Sequence, residues 1–317
     1  MLVERAYAKI NLTLDVLSRR PDGYHEVDMV MQSVDLSDLL WIDKCDAGIR
    51  IESGSSNIPL DDRNLAYVAA EAFLKKAKIS SGISIGLEKN IPVAAGLAGG
   101  SSDAAAVLRG LNRLFATGYS LDELAELGAS IGSDVPFCVY GGCAIARGRG
   151  ERLERVYHHT KAWVIIVRPP VFVSTADIYG ALARDDLTQT YRSNRAVESG
   201  HAGDSGRAVG PGHDVESSDD VESGHAVRSV GLVRTLMDGN FEQMVELVDN
   251  RLRPATERLY PEVAEYAERL SSTLGQLVHM SGSGPTLFVL APNERRAQRS
   301  YNAVRGFMKE VYLCRFI

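Results

Sequence analysis

IPVAAGLAGGSSDAAAVLRGLNRLF, residues 91–115, begins as a loop of small residues and ends as an amphipathic helix. Apolar residues recur at helical spacing from Ser101 to Phe115, which predicts a helix there. Gly96, Gly99 and Gly100 precede this helix, although glycine loses more backbone freedom on ordering than any other residue. The glycines therefore indicate that something must come very close to the backbone where the helix starts.

The start of this helix is chemically suited to bind an anion. The first four N–H groups of a helix have no partner within it, and the helix dipole adds partial positive charge there. Glycine lets an anion approach these groups closely, and phosphate is the usual ligand. Ser101 and Ser102 add hydroxyl donors at the same place. We predict a phosphate site, although a tight turn required only for packing would also explain the glycines.

Three familiar nucleotide-binding patterns are absent from the chain. The sequence has no Gly-Lys dipeptide, so it contains no GxxxxGK[ST] loop. It contains neither H-R-D nor D-F-G, which excludes the protein-kinase pattern. The glycine loop also lacks the GxGxxG spacing of dinucleotide-binding proteins. The predicted phosphate site therefore belongs to another class of protein.

Strands and helices are mixed on both sides of the glycine loop. Turn residues at 19–25 (RRPDGYH) separate strand-like runs within residues 1–55. Later strands are predicted at 82–88, 141–151, 162–169, 276–280, 287–291 and 311–316. Helices are predicted at 64–76, 101–115, 121–129, 176–183, 230–238, 241–250, 261–274 and 293–308, and loops at 131–137 and 281–286. Because no steady βαβ rhythm is present, we predict an α+β fold rather than a doubly wound α/β fold.

The length of 317 residues supports two domains, which we place at 1–158 and 159–317. Within the second, residues 185–228 show no apolar period and are rich in Gly, Ser, Asp, Glu and His. Such a tract cannot bury enough apolar surface to offset its ordering entropy, so we predict a disordered, low-complexity insert. His201, His213 and His225 lie far apart in it, and we do not expect them to bind a metal.

Composition and charge limit the partners of the chain. The formal net charge is −6 and no basic run occurs, so nucleic acid is not expected as the main partner. Four cysteines form neither a CxxC pair nor a zinc spacing, and we interpret them as buried thiols in a reducing compartment. No signal-type or membrane-spanning apolar segment is found. We expect a cytoplasmic protein without a membrane partner, present as a monomer or weak homodimer.

Three motifs resemble those of the GHMP family of small-molecule kinases. PVAAGLAGGSSDAA at 92–105 is similar to the family's Pro-x-x-x-Gly-Leu-x-x-x-Ser-Ser signature. AYAKINLTLDV at 6–16 is similar to its N-terminal motif, and MSGSGPT at 280–286 to its C-terminal glycine motif. The resemblance covers the whole chain and implies an N-terminal α+β ATP-binding and catalytic domain followed by a ferredoxin-like α+β domain. The insert at 185–228 is the main departure from the family.

This resemblance implies transfer of the γ-phosphoryl group of ATP to a substrate hydroxyl. The glycine loop would then hold the ATP phosphates through Pro92, Val93, Ala94, Ala95, Gly96, Leu97, Ala98, Gly99, Gly100, Ser101 and Ser102. Asn64 and Lys89 match positions that line the family's nucleotide pocket, although both also have simple surface explanations. Mg²⁺ is expected with ATP. Its ligands stay unassigned, since Asp103 is equally explained as a charge that complements the helix dipole.

Lys9 and Asp134 match the catalytic pair of the family. Asp134 lies in GSDVP, where a turn-forming aspartate is common. A carboxylate is ionised at neutral pH and accepts a proton, so the resemblance makes Asp134 the base. Lys9 interrupts an apolar strand, from which a lysine side chain can extend to water. In the family it is the cation that holds the carboxylate and offsets charge on the acceptor oxygen.

Within the family, AKINL, RRPDGYHEV and IGSDVPF are most similar to members that act on a cytidine-diphosphate derivative of methylerythritol. Tyr24 and Tyr179 are then expected to stack on cytosine, and His25 to bind the base edge. Core packing is the alternative for Tyr179, and capping a turn the alternative for His25. Asn11 shares a strand face with Lys9 and is expected near the polyol. Thr175 either caps the helix at 176–183 or binds substrate.

The expected activity is an ATP-dependent kinase that phosphorylates the 2-hydroxyl of this acceptor in non-mevalonate isoprenoid biosynthesis. One alternative keeps the chemistry with mevalonate-like, homoserine or sugar acceptors, which carry no base for the aromatic residues to bind. Another is a non-catalytic nucleotide-binding regulator, whose expected mark would be the loss of Lys9 or Asp134. An RNA-binding module is the third alternative, and the acidic balance disfavours it.

Overall fold

The structure, a computed structural model, describes the backbone of residues 1–182 and 219–317 and the side chains of 1–182 and 228–317. The strands are β1 (Leu2–Arg19), β2 (His25–Cys45), β3 (Ile49–Glu52), β4 (Gly82–Glu88), β5 (Cys143–Gly148), β6 (Arg152–Val156), β7 (Trp163–Arg168), β8 (Asp249–Asn250), β9 (His279–Met280), β10 (Leu287–Ala291) and β11 (Glu310–Arg315). The helices are α1 (Leu65–Ala77), α2 (Gly99–Phe115), α3 (Leu121–Ala129), α4 (Val135–Tyr140), α5 (Thr175–Gly180), α6 (Asp219–Asp238), α7 (Phe241–Leu247), α8 (Arg253–Leu259), α9 (Pro261–Leu274) and α10 (Glu294–Val304).

The strands form two sheets. The larger sheet has the order β3-β4-β2-β1-β8, and β5 pairs with the first part of β2 and with β6. The smaller sheet, β11-β7-β10-β9, is antiparallel throughout. Numbered in chain order, its strands follow the arrangement 4-1-3-2 of a ferredoxin-like fold. The predicted α+β class is confirmed.

Strand β1 is buried along most of its length because other elements cover both of its faces. Ala8, Ile10 and Leu12 belong to a core shared with β7 and α6. Ala6 belongs to the core beneath α1 and α2. Lys9, between these apolar residues, is only 4% exposed. The lysine therefore does not extend to the outer surface, and its interruption of the apolar strand needs another explanation.

Helix α2 lies tightly on the larger sheet. Ala104, Ala105 and Leu108 on its inner face are fully buried. A Cβ added to Gly110 would lie 2.4 Å from Cδ1 of Ile42 on β2, so the backbone of the helix approaches the sheet directly. This packing fixes the N-terminus of α2 relative to β1.

The sequence predicted several elements to the residue and missed others. The strands at 82–88 and 287–291 and the helices at 121–129 and 261–274 have the predicted bounds. The predicted loop at 131–137 was wrong from Val135 onward, where α4 begins. The helix predicted at 241–250 ends at Leu247, and the chain continues as β8 beside β1. Helix α8 was missed because its buried residues are only Ala255 and Thr256, too few to give an apolar period.

Most of the predicted insert, with His201 and His213, lies outside the described residues, and so does the side chain of His225. The backbone is helical from Asp219, so the prediction of disorder was wrong for residues 219–228. Polar composition hid this continuation of the helix predicted at 230–238. The domain boundary near residue 158 stays a prediction, and it falls between β6 and β7, which belong to different sheets. Among the described helices, none combines the length and apolar character needed to cross a membrane.

Candidate active site

A cavity of about 1140 Å³ lies between the glycine loop, the end of the β1–β2 hairpin and α5. It brings together almost every residue that the sequence singled out. Those lining it are Lys9, Asn11, Tyr24, His25, Asn64, Lys89, Pro92, Val93, Ala94, Ala95, Gly96, Ala98, Gly99, Gly100, Ser101, Asp134, Thr175 and Tyr179. Residues separated by up to 170 positions in sequence thus share one site.

Two residues of the predicted phosphate loop do not line the cavity. Leu97 is 1% exposed and packs into the apolar core. The Ser102 hydroxyl donates to the carbonyl of Tyr7 at 2.6 Å and lies 3.3 Å from Sγ of Cys138. Ser102 was predicted to add a hydroxyl donor at the phosphate site, whereas helical periodicity turns its side chain toward β1 and α4. The place of both residues in the phosphate-binding loop stays a prediction.

The N-terminus of α2 opens onto the cavity. The amide of Ser102 donates to the carbonyl of Ala98 at 2.8 Å, the first bond of the helix. The amides of Gly99, Gly100 and Ser101 precede this bond and remain for a ligand. A Cβ added to Gly100 would be in van der Waals contact with Leu65 alone, so the space beside the Gly100 backbone is open. The geometry suits an anion held by backbone N–H groups.

Gly96 is required for a different reason from the one predicted. Its φ is +73°, and an added Cβ would lie 2.5 Å from the carbonyl oxygen of Ser281. The Ser281 hydroxyl donates to the carbonyl of Gly96 at 3.1 Å and accepts from the amide of Asn11 at 3.3 Å. Gly96 therefore allows the phosphate loop to pack against the C-terminal glycine turn, and Ser281 connects both to β1.

Lys9 and Asp134 meet at the centre of the cavity. Nζ of Lys9 lies 3.6 Å from Oδ2 of Asp134 and donates to Oδ1 of Asn11 at 2.8 Å. Asp134 precedes α4 at its N-cap position but makes no capping hydrogen bond with its side chain. The carboxylate is 29% exposed, so it contacts the lysine while remaining accessible to a substrate. Asp134 lies in the turn before α4, as the turn alternative expects, and its side chain also contacts Lys9.

An arginine that no motif singled out connects the helix and the strand beside this pair. Nη1 of Arg109, on α2, donates to the carbonyl of Cys138 at 2.6 Å, and its Nη2 donates to the carbonyl of Arg5 at 3.0 Å. Arg109 thus joins α4, which follows Asp134, to β1, which carries Lys9. The only signal in the sequence was a charged residue on the apolar face of the helix predicted at 101–115.

Near the N-terminus of α2, Lys89 lies between two buried carboxylates. It forms ion pairs with Asp38 and, at 2.6 Å, with Asp103. Asp38 also accepts from the amides of Asn90 and Ile91. Burial, reinforced by the charge of Asp38 and opposed by that of Lys89, raises the pKa of Asp103 to about 8. The surface explanation considered for Lys89 is wrong, since its side chain is 6% exposed.

Asn64 lines the same end but also has a structural role. Its Oδ1 accepts from the amide of Ala66 at 3.0 Å, and its Nδ2 donates to the carbonyl of Pro59 at 2.8 Å. The side chain therefore caps α1 and holds the preceding turn in place.

Aromatic residues form the opposite end of the cavity. The rings of His25 and Tyr179 lie 5.1 Å apart, tilted by 36°. Burial and the charge of Arg19 lower the pKa of His25, so the ring is neutral at pH 7 and offers one donor and one acceptor. Burial and the charge of Asp134 raise the pKa of Tyr179, so the aromatic end of the cavity lies within the electrostatic influence of Asp134. Tyr24 is 53% exposed.

Thr175 does not cap α5. Ser174 is the N-cap residue, and its hydroxyl accepts from the amide of Asp177. Oγ1 of Thr175 instead lies 2.7 Å from Oγ of Ser283, and both residues line the cavity. Tyr179 packs against the apolar core and also lines the cavity, so the two explanations considered for it are compatible.

Two family models match the chain: "GHMP kinases N terminal domain" at residues 64–142 and "GHMP kinases C terminal" at residues 226–310. A solved homoserine kinase from Cytophaga hutchinsonii has the same fold, with a TM-score of 0.69, 20% identity and coverage of 98% of this chain and 94% of the other. Together with the glycine loop at the N-terminus of α2, these matches define a GHMP kinase.

More similar proteins narrow the class. Proteins named 4-diphosphocytidyl-2-C-methyl-D-erythritol kinase from Exiguobacterium sibiricum and a Geobacillus species are 43% and 45% identical over the whole chain, covering 98% and 97% of their own lengths. A crystal structure of a 4-(cytidine 5'-diphospho)-2C-methyl-D-erythritol kinase matches with a TM-score of 0.73, 30% identity and coverage of 99% of each chain. The chain belongs to this family of kinases.

Proposed function

We propose that the chain transfers the γ-phosphoryl group of ATP to the 2-hydroxyl of 4-(cytidine 5'-diphospho)-2-C-methyl-D-erythritol, a step of non-mevalonate isoprenoid precursor biosynthesis. The names of its relatives support the acceptor. The observation that carries the proposal is the Lys9–Asp134 contact, which lies in one cavity between a helix N-terminus and an aromatic-histidine cluster. A phosphate donor and a base-bearing acceptor would approach this pair from opposite ends.

Asp134 acts as the base in this proposal. Its exposed carboxylate takes the proton of the acceptor hydroxyl as the oxygen attacks the γ-phosphorus, and the bond to the β-phosphate oxygen breaks. Lys9 holds the carboxylate and offsets negative charge on the attacking oxygen. Asn11 fixes the lysine through the 2.8 Å hydrogen bond, so that its ammonium group points at the reacting atoms.

The donor end would hold ATP through backbone N–H groups. The amides at the start of α2 bind phosphate oxygens, while Asn64 and Lys89 line the part of the cavity that takes the nucleoside. Within the described residues, no group of three or more His, Cys, Asp or Glu side chains is arranged to hold a metal. Mg²⁺ would neutralise phosphate charge and enter with ATP. Oδ1 of Asp103, buried without a hydrogen-bond partner at the cavity wall, would contact it.

The acceptor end would bind the cytidine. Tyr24 and Tyr179 provide aromatic faces for the base, each worth about 1–3 kcal/mol. A neutral His25 donates one hydrogen bond and accepts another at the base edge. Asn11 and Thr175 would contact the polyol between the base and Asp134.

We also propose a reducing, cytoplasmic location and a monomer or weak homodimer without a nucleic-acid or membrane partner. All four cysteines are free. Burial raises the pKa of Cys138, Cys143 and Cys314 to about 12, which keeps these thiols protonated and unreactive. Such thiols are typical of a reducing compartment.

ADP release with Mg-ATP and a panel of acceptors tests the proposed function. The panel contains the cytidine-diphosphate methylerythritol, mevalonate, homoserine and galactose, and Asp134→Asn serves as the inactive control. Turnover with the cytidylated acceptor alone is the expected result. Turnover with another acceptor would keep the kinase chemistry and overturn the substrate. ATP binding without turnover on any acceptor would favour a regulator.

A further inference from the structure

The turn between β5 and β6 carries an arginine into the acceptor end of the cavity. Gly148 and Gly150 flank Arg149, with φ of +74° and +109°, values that favour glycine. Arg149 lines the cavity, and its side chain is 31% exposed. The function proposed above assigns no role to this residue.

The turn is fixed to the start of β2. The amide of Gly148 donates to Oε1 of Glu26 at 3.1 Å, and the amide of Arg149 donates to Oε2 of Glu151 at 2.7 Å. A Cβ added to Gly150 would lie 2.6 Å from Cε of Met29, so the backbone of the turn packs directly on that side chain. Strand β2, which begins at His25 directly after Tyr24, therefore sets the position of Arg149.

Contacts place Arg149 between the predicted base site and the reacting centre. Its guanidinium carbon lies 5.0 Å from the centroid of the Tyr24 ring. On the other side of the turn, Met29 accepts a hydrogen bond from the side chain of Asn11 at 3.1 Å. Asn11 in turn contacts Lys9. A ligand that reaches from Tyr24 to Lys9 passes this turn.

The charge at this end of the cavity is positive. Arg19, directly opposite His25 in the β1–β2 ladder, and Arg149 both line it. Among the described residues, the carboxylates that line the cavity are Asp103 and Asp134, at the nucleotide end and the centre. Glu151 lies 3.9 Å from Nε of Arg149 but outside the cavity lining. Both arginines thus line this end of the cavity, whereas Asp22 and Glu151, the carboxylates that interact with Arg149, lie outside the lining.

Resting on the proposed function, we infer that Arg149 binds the diphosphate that joins the base to the polyol of the acceptor, with Arg19 as a second cation. A guanidinium group offers paired N–H donors that match phosphate oxygens, and a hydrogen bond between charged partners is stronger than a neutral one. Contact with the Tyr24 ring orients the guanidinium group and couples recognition of the diphosphate to recognition of the base. Arg149 therefore determines specificity for acceptors linked through a nucleoside diphosphate.

Titration calorimetry with CDP and with cytidine tests this inference, with binding measured in the presence of a non-hydrolysable ATP analogue that fills the donor site. The wild-type protein is expected to bind CDP more tightly than cytidine. Arg149→Ala should weaken CDP binding by about tenfold to a hundredfold and leave cytidine binding within about twofold. Arg149→Lys should fall between the two, since it retains charge but loses the paired donors. The matched control is Arg155→Ala, because Arg155 is an exposed arginine on β6 that stacks on Tyr140 and Tyr157.

Steady-state kinetics separates this inference from the proposed function. If the wild-type protein phosphorylates the cytidylated acceptor, Arg149→Ala should raise KM for that acceptor and leave KM for ATP and kcat nearly unchanged. An unchanged ratio of CDP to cytidine affinity in Arg149→Ala would overturn the role of Arg149 alone. Absence of turnover by the wild-type protein would overturn the proposed function, and the inference with it.

Discussion

Lys9 and Lys89 line the same cavity and are equally buried, with side chains 5% and 6% exposed, yet they are paired differently. Lys9 contacts one carboxylate, Asp134, at 3.6 Å, and its shorter bond goes to the neutral amide of Asn11. Lys89 contacts the two buried carboxylates of Asp38 and Asp103. The first arrangement leaves a carboxylate accessible to a substrate, whereas both carboxylates of the second are buried.

The charges of the two clusters explain what each can do. Lys9 and Asp134 together carry no net charge, and the carboxylate is partly exposed. The Lys89 cluster would carry one excess negative charge, which burial makes costly, and the pKa of Asp103 is accordingly raised to about 8. Burial of a lysine therefore does not by itself mark a proposed catalytic residue. The accessibility of its partner carboxylate does.

Removing the accessible carboxylate is expected to have the largest effect. Asp134→Asn retains the shape of the side chain but cannot accept a proton, so kcat should fall by about 10²- to 10⁴-fold. ATP binding should change little, because the amides at the start of α2 are untouched. ADP release gives the rate, and calorimetry with an ATP analogue gives the affinity. A variant that retains near-normal turnover would exclude Asp134 as the base.

Lysine-to-methionine substitutions at the two clusters should separate activity from stability. Lys89→Met leaves the buried carboxylate of Asp38 without a cation and should lower the free energy of unfolding by about 3–5 kcal/mol. Lys9→Met leaves a partly exposed carboxylate that water can solvate, so we expect a smaller loss of stability together with a large loss of kcat. Urea unfolding followed by circular dichroism measures both. Equal losses of stability would contradict the distinction.

Local sequence predicts some helices to the residue, but it does not predict the side-chain contacts that build this site. Helices α3 and α9 have their predicted bounds because each combines an apolar period with a local start signal, the capping box of Ser120 and Glu123 for α3 and Pro261 for α9. The motifs of the glycine loop, Lys9 and Asp134 predicted the site by resemblance. The partners of Lys89 were missed, because Asp38 reaches it across 51 residues and no local pattern records that contact. The direction of Ser102 was wrong for the same reason, since the packing of α2 on β1 and α4 decides it.

The raised pKa of Asp103 predicts that the stability of the protein depends on pH. In the folded protein Asp103 keeps its proton up to about pH 8, whereas an unfolded aspartate loses it near pH 4. Between these values the folded state binds more protons, so the free energy of unfolding falls as pH rises. Asp103→Asn removes this dependence. The free energy of unfolding of the variant minus that of wild type should therefore increase by more than about 1 kcal/mol between pH 5 and pH 8, the equivalent of roughly one pKa unit.

Urea unfolding of both proteins at several pH values measures this difference, and other groups that titrate in the range affect both proteins alike. His279, whose pKa burial lowers to about 4, is one such group. Parallel profiles for wild type and Asp103→Asn would show that Asp103 is ionised in the folded state at every pH tested, and that the excess charge is tolerated.

Loss of an uncharged contact in the same cavity should have the smallest effect on stability. Thr175→Val retains the shape of the side chain and removes the hydroxyl that lies 2.7 Å from Oγ of Ser283. Because no charge is left unpaired, the free energy of unfolding should fall by only about 1 kcal/mol. Thr273→Val, at an exposed position where the hydroxyl donates to the carbonyl of Arg269, is the matched control. A rise in acceptor KM with unchanged kcat would indicate that Thr175 also binds the acceptor. A loss of stability as large as that of Lys89→Met would contradict the expectation that an unpaired buried charge costs more than a lost neutral contact.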